Sequence, residues 1–393
     1  LSQYTHLADI KKTNYNSYLQ YYPKNIDLLY ELFKYFYRIN KSKEAGEVRE
    51  LLLQWLEHNS HIVQNSKQRD NATKKMLTAR LDQMSSTRLE FMRSRFDRAQ
   101  ILSPFYRDSI NTQWYLLQQN KKLANQFSAS LLAQLTFIEG KYNKHFSKGV
   151  KETDAINLKT IHARTLRGLA LESAQEFEQA ASLFDKNIEW AELNREQIPV
   201  EQRKFFFRSY LRESYVSSYR NRALSLKIQP NSASRLTLFL RAGDKLRSRE
   251  FKDKRGIKVN EISYSLTSNQ ALFISADLST HILSFWQNSS HIFIDLIAKS
   301  KNWDKDIYQI RQEIVNQEKV NSELLKSIRT PLISVFKDNF TDTQNIYTLV
   351  DGALSTLPMS YFLQSQLKTS SPLKAIQYIA SLNHINKQQR NIS

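Results

Sequence analysis

Cysteine is absent from all 393 residues. That excludes disulfides, thiolate-ligated zinc, iron–sulfur clusters and a thiol nucleophile within this polypeptide. It leaves the redox compartment open, because a chain without thiols survives in either. Glycine and proline are scarce, seven of each. So few argue against collagen-like, linker-rich or turn-dense all-β architectures and favour long helices. No run of 18 apolar residues occurs, which excludes a membrane-spanning helix. Residues 1–25 lack the charged-then-apolar layout of a secretory signal. The first residue is Leu1, so an upstream targeting segment would be invisible; localisation stays open, with the cytoplasm favoured over other compartments.

Basic residues are in excess, 57 against 38 acidic, a net charge of +19. Such a surplus attracts nucleic acid, anionic lipid or an acidic protein. The densest stretches are Lys67–Arg80, Arg203–Arg222 and Arg241–Lys258. In the second, Arg203, Lys204, Arg208, Arg212, Arg220 and Arg222 interleave with Phe205, Phe206, Phe207, Tyr210, Tyr215 and Tyr219. Bases and aromatic rings together track a phosphate backbone and stack bases. The same spacing also describes an amphipathic helix with its rings inward and its arginines solvated.

A chain this long holds two or three domains. Residues 1–255 read as helix almost throughout. Leu29, Leu32 and Phe36, then Ala45, Val48, Leu52 and Trp55, recur at helical spacing around a polar break at residues 40–43, and Pro23 marks a boundary before them. Two helices with a tight turn form the unit of helical repeats. A clearer copy spans Ile161–Glu192, where Gly168, Leu171, Ala180 and Phe184 stand at the 8, 11, 20 and 24 places of a tetratricopeptide (TPR) unit. Small residues at Gly168 and Ala180 permit close helix approach, and Leu171 and Phe184 fill the space between. In the first copy Phe33 occupies the place usually held by a small residue. The segment 68–125 is helical without a clean repeat. A non-repeat helical bundle is the other reading of this half. His58 and His61, spaced i,i+3, could chelate a metal or be a plain surface pair; no metal is assigned.

The pattern changes near residue 255. Residues 271–276, 281–286 and 291–297 read as strands, the first two flanking a turn at 277–279. Residues 304–337 return to helical periodicity, residues 345–350 read as a buried strand, and residues 378–380 as a last short one. Strands alternating with helices imply an α/β layer behind a helical front half.

Residues 346–362 run IYTLVDGALSTLPMSYF. A strand delivers Asp351-Gly352, then Leu354, then Leu357-Pro358. Asp351 can bond the turn backbone, Gly352 allows positive φ, and Pro358 suits a first helical turn. This motif resembles the CHAT domain, the caspase-like module that accompanies TPR arrays, in which a Pro-Asp-Gly turn precedes an apolar residue and a Leu-Pro pair. Val350 replaces the usual proline and Met359 the frequent phenylalanine. Residues 271–297 look like the family's upstream hairpin, and residues 378–382 like its strand ending in Ser-Leu.

The resemblance implies a cysteine peptidase whose His and Cys stand on later strand ends, the thiolate attacking a carbonyl while the imidazole handles the proton. This chain has no cysteine, and His384 follows Ser381-Leu382 too closely to be that histidine. No catalytic residue and no cofactor are therefore assigned. Either the chain is a truncated piece of a longer peptidase-like protein, or it is a degenerate remnant that binds partners. His281 and His291 read as strand residues. An Arg329-Thr330-Pro331-Leu332 run resembles a histidine-kinase phosphoacceptor helix, but Lys326 stands where the histidine belongs, and Pro331 reads as a helix break or start.

The expected fold is mainly α: a TPR-like helical scaffold over 1–255, then the amino-terminal portion of a CHAT-like α/β domain over 256–393. The expected partner is a protein or peptide held by the helical region, with no membrane association. A non-catalytic scaffold is the alternative, and a basic nucleic-acid-binding protein a further one.

Overall fold

The computed structural model describes residues 33–37, 39–54, 104–145, 150–194, 211–255, 264–333, 343–364 and 375–379, with single positions at 207, 340, 382 and 385. Outside them lie Pro23, Leu29, Leu32, Trp55, His58, His61, Lys67–Arg80, Arg203, Lys204, Arg208 and His384. The protein divides into two compact units, residues 1–176 and 177–393.

The described residues of the first unit form five helices: α1 (33–37), α2 (42–54), α3 (104–117), α4 (Lys121–His145) and α5 (Val150–Ser173). Apolar residues at 3–4-residue spacing build two small cores. Phe33, Phe36, Ala45, Val48 and Leu52 close on Ile110 of α3, and Phe105 of α3 packs with Leu131, Leu135, Ala163 and Leu166. Helix α3 thus serves both. Its other buried positions are polar. Asp108 accepts from Ser130 Oγ (2.6 Å) and Gln134 Nε2 (2.5 Å) of α4, Ser109 Oγ meets His162 Nε2 of α5 at 2.8 Å, and Asn111 Oδ1 accepts from Arg49 of α2. These bonds satisfy groups that burial would otherwise penalise by about 1–3 kcal/mol each.

Three of these helices end in the same way. Asn40, Gln119 and Gln175 hold positive φ, and the following amide bonds back five residues, Lys41 to Phe36, Asn120 to Tyr115 and Glu176 to Leu171, each at 2.9 Å. This is the Schellman termination, which glycine usually supplies. Asn and Gln do it here, so the tight helix-to-helix turns are written without glycine. Gly168 and Leu171 are buried in α5, and Ala180 and Phe184 are buried in the first helix of the second unit.

The second unit opens with α6 (Phe177–Leu193), α7 (Arg212–Ile228) and α8 (Ala233–Arg255). A mixed five-stranded sheet follows, built from β1 (Gln270–Asp277), β2 (His281–Gln287), β3 (Ile292–Ala298), β4 (Asn345–Val350) and β5 (Ala375–Tyr378) in the order β3-β2-β1-β4-β5. The first three strands form an antiparallel meander; β4 and β5 add parallel to β1. Helices α9 (Trp303–Val315) and α10 (Ser322–Ile333) lie between β3 and β4, and α11 (Met359–Gln364) between β4 and β5. The last strand therefore lies at 375–378, not at 378–380: residues 375–378 pair with Asn345–Thr348, and only the Ile379 amide continues the ladder, to Thr348 O.

Period-two alternation sends successive side chains to opposite faces. Ala271, Phe273, Ile282, Trp286 and Ile346 pack under α9, α10 and α11; Leu272, Ile274, Leu283, Phe285, Tyr347 and Leu349 pack under α7 and α8. With both faces covered, β1 and β4 read as continuous apolar runs. This core runs across residue 255, because Val216, Tyr219, Phe239 and Leu240 belong to it.

Pro331 neither starts nor breaks α10 but lies within its last turn. The Leu332 carbonyl beside it accepts from Ser284 Oγ (2.9 Å) and Trp286 Nε1 (2.8 Å) of β2. A helix end that packs on the sheet thus finds its acceptors' partners there.

Helix α7 corrects the solvated-arginine reading at two positions, Arg220 and Arg222, which are buried; Arg212 is exposed, and Tyr215 and Tyr219 are buried as that reading had them. One side of α7 meets the sheet core through Val216, Tyr219, Ala223 and Leu226. The other meets α6 through a polar seam in antiparallel register. Glu178 takes Arg222 and Ser225, Asp185 takes Ser218 (2.6 Å) and Arg222 (2.8 Å), Asn187 reaches Ser214 (3.2 Å) and Glu192 takes Tyr215 (2.5 Å). Rings and guanidinium groups engaged in this way are not available to stack bases.

Candidate functional site

In open α/β sheets, ligand-binding residues gather where parallel strands end. Here β1 and β4 are parallel neighbours, and their ladder ends at Ser275↔Val350. Just beyond stand Asp277, Asp351 and Gly352. The Asp351 amide extends the ladder by one bond to Ser275 O, 2.9 Å. Alternation places the two carboxylates on opposite faces of the sheet.

Asp277 closes the β1–β2 turn. Its Oδ1 accepts from the Ser279 amide at 2.9 Å, an Asx turn that carries Ser279 at φ 69°. Its Oδ2 accepts from Lys299 Nζ at 2.6 Å, and the same ammonium reaches Asp304 Oδ2 at 3.0 Å, in the first turn of α9. Burial works against the Lys299 charge, but the two carboxylates outweigh it and hold the ammonium above its ordinary range. Arg212, at the start of α7, donates to Ser279 Oγ at 2.9 Å. Cations from α7 and from the loop after β3 therefore converge on one strand end.

On the opposite face, Asp351 Oδ2 lies 3.3 Å from Arg247 Nη1 of α8. Arg247 is only 9% exposed, and its guanidinium sits 5.8 Å over the Tyr219 ring. Burial raises the Tyr219 hydroxyl well above the tyrosine range and keeps it neutral. Asp351 does not cap the 3-10 turn that follows it, Gly352–Thr356. The acid of the motif serves an ion pair to a helix 104 residues earlier rather than the local backbone.

The remaining motif positions have structural duties. Gly352 has φ +70°, and a methyl group on it would lie 3.0 Å from Asp277 Cβ. Only glycine fits both the backbone and the neighbour. Leu354 and Leu357 are buried in the core beneath α9 and α10. Pro358 precedes α11, and its carbonyl accepts from the Phe362 amide at 3.0 Å. The Tyr378 hydroxyl of β5 donates to Leu357 O at 2.9 Å and accepts from the Met359 amide, so β5 pins both sides of the Leu357-Pro358 step.

Asp351, Gly352, Leu354, Leu357 and Pro358 thus share one end of one sheet. Gly168, Leu171, Ala180 and Phe184 take no part in it. Sequence reading missed Asp277, Lys299, Asp304, Arg212, Arg247 and Tyr219. Asp277 carried a faint signal as part of a turn; Arg247 carried none, since it lies in a basic run and its partner is remote in sequence. Among the described residues no group of three potential metal ligands occurs and no helix is long and apolar enough to cross a membrane. The ion pairs of the charged rim fix the strand ends in place. No family model, curated protein or solved structure matches this chain.

Proposed function

We propose that this protein carries the amino-terminal portion of a CHAT-like, caspase-like α/β domain joined to a helical region that binds a protein or peptide partner. The observation that carries the reading is the end of β4. A buried strand parallel to β1 runs into Asp351-Gly352 at positive φ, then a 3-10 turn and a Leu-Pro step into a helix. The antiparallel β1–β2–β3 meander ahead of it supports the same reading. In this proposal the rim is the frame of a peptidase cleft, and the reacting His and Cys come from strands that follow β5. The 393 residues, lacking cysteine, have no cysteine-peptidase activity of their own.

The test uses the protein at its natural expression level. An electrophilic peptide probe that alkylates active-site thiolates is applied to cell extract, and species containing this sequence are captured with an antibody. A labelled species longer than 393 residues supports the proposal. Capture of an unlabelled species leaves the non-catalytic interaction scaffold, which the succession of tight helix-to-helix turns in the first unit also supports. The burial of Tyr215, Tyr219, Arg220 and Arg222 weighs against nucleic-acid binding through α7.

A further inference from the structure

Arg247 is a poor stabiliser as placed. Its one ion pair is a single 3.3 Å contact rather than a two-pronged one. Its Nη2 is buried with no hydrogen-bond acceptor, and the guanidinium lies over the fully buried Tyr219 ring. A buried ion pair with unmet donors contributes little to stability but depends steeply on the position of each group.

Several contacts tie that position to α8. Gly243 stands one turn before Arg247 on the same helix, and a methyl group there would meet Tyr219 Cζ at 2.7 Å. The helix therefore seats directly on the Tyr219 ring, which stacks on Phe239 of α8 at 5.0 Å. Past the ion pair the chain of contacts continues. Asp351 leads to Gly352, Gly352 abuts Asp277, and Asp277 is held by Lys299 and the Ser279 amide. Packed side chains of this kind relay a displacement instead of absorbing it.

We propose that Arg247 is a coupling residue: through its ion pair with Asp351, the geometry of the corner at residues 351–352 depends on how α8 is seated against Tyr219. A shift of α8 away from the sheet breaks the pair and releases the carboxyl end of β4. The weight given to that corner rests on the CHAT-like reading, whereas the coupling itself is measured without it.

The experiment is a double-mutant cycle read by hydrogen exchange on the whole chain. Gly243→Ala perturbs the seating of α8; Arg247→Met removes the link. With Arg247 present, Gly243→Ala is expected to speed exchange of amides 351–357 about tenfold while amides 282–297 stay within about twofold. In the Arg247→Met background the same substitution adds nothing at 351–357. Equal acceleration in both backgrounds, or uniform acceleration across the sheet, overturns the coupling and leaves Arg247 as ordinary packing. Should Gly243→Ala not fold, Phe239→Leu loosens the same ring stack and takes its place with the same two outcomes. An additive cycle removes the coupling but leaves the peptidase reading standing. An unlabelled natural product removes that reading but leaves the cycle interpretable.

Discussion

Arg222→Met tests whether the seam between α6 and α7 is desolvated. The guanidinium is 10% exposed and bridges Glu178, 40% exposed, and Asp185, 25% exposed. Removing one member of a fully buried pair costs about 3–5 kcal/mol, because the remaining charge is stranded. Water reaches Glu178 and partly Asp185, which lowers that figure. Glu178 also keeps Ser225 and Arg235, and Asp185 keeps Ser218. The expected loss is about 2–3 kcal/mol. For a unit of this size that is a fall of about 5–10 °C in Tm. The assay is urea unfolding followed by tryptophan fluorescence, since guanidinium salts would screen the pair. Two controls fix the interpretation. Lys227→Met breaks a half-exposed pair with Asp295 (2.8 Å) and is expected to cost less than about 0.5 kcal/mol. The double variant Arg222→Met, Asp185→Asn leaves Glu178 its Arg235 partner, strands no charge and recovers most of the loss. If Arg222→Met and Lys227→Met cost the same, the seam is wet and the reasoning fails.

Gly352→Ala forces a side chain into positive φ and against Asp277; a loss of about 2–3 kcal/mol is expected by urea unfolding. Gln119→Gly and Gln175→Gly relieve the left-handed conformations of the helix ends, and each is expected to add about 0.5 kcal/mol to stability by the same assay. Lys299 has a folded-state pKa above its unfolded value. Its contribution is therefore complete below the unfolded pKa and is lost as pH rises through the folded one. Buried Tyr219 and Tyr264, also raised, act in the same direction. Wild type should lose stability above about pH 10, and Lys299→Met should lose less of it over that range; parallel pH profiles would contradict the assignment. Glu313 has a lowered pKa because it accepts from the Asn321 amide at 2.8 Å and from Gln309. Its hold on the start of α10 is present above the ordinary carboxylate range and lost on acidification. Exchange of the Asn321 amide, corrected for intrinsic rate, should be more protected at pH 6 than at pH 3, and Glu313→Gln should abolish the difference.

The meander and β4 were legible because each strand is a short apolar run bounded by turn residues such as Asp277 and Ser279. The first described helices were legible from spacing alone, as at Phe36, Ala45, Val48 and Leu52. Residue 375 escaped as a strand start because β5 is only partly buried, so no strong alternation marks it. The seam partners of Arg222 escaped because a buried arginine and a solvated one have the same local sequence. The structural half of the candidate site, Gly352 with Leu354, Leu357 and Pro358, was visible in one stretch; the charged half was not.

By itself the sequence determined the strongly patterned helices and strands among the described residues, the β1–β2 turn, and that no thiol chemistry occurs within these residues, since periodicity, turn residues and composition are local properties. The tertiary structure alone decided which charges are paired and buried: that Asp351 faces Arg247, that Asp277 faces Lys299, and that Arg220 and Arg222 of α7 lie inside. Those pairings depend on where distant segments meet, and in a chain with 57 cations and 38 anions many alternative pairings would satisfy the same local pattern.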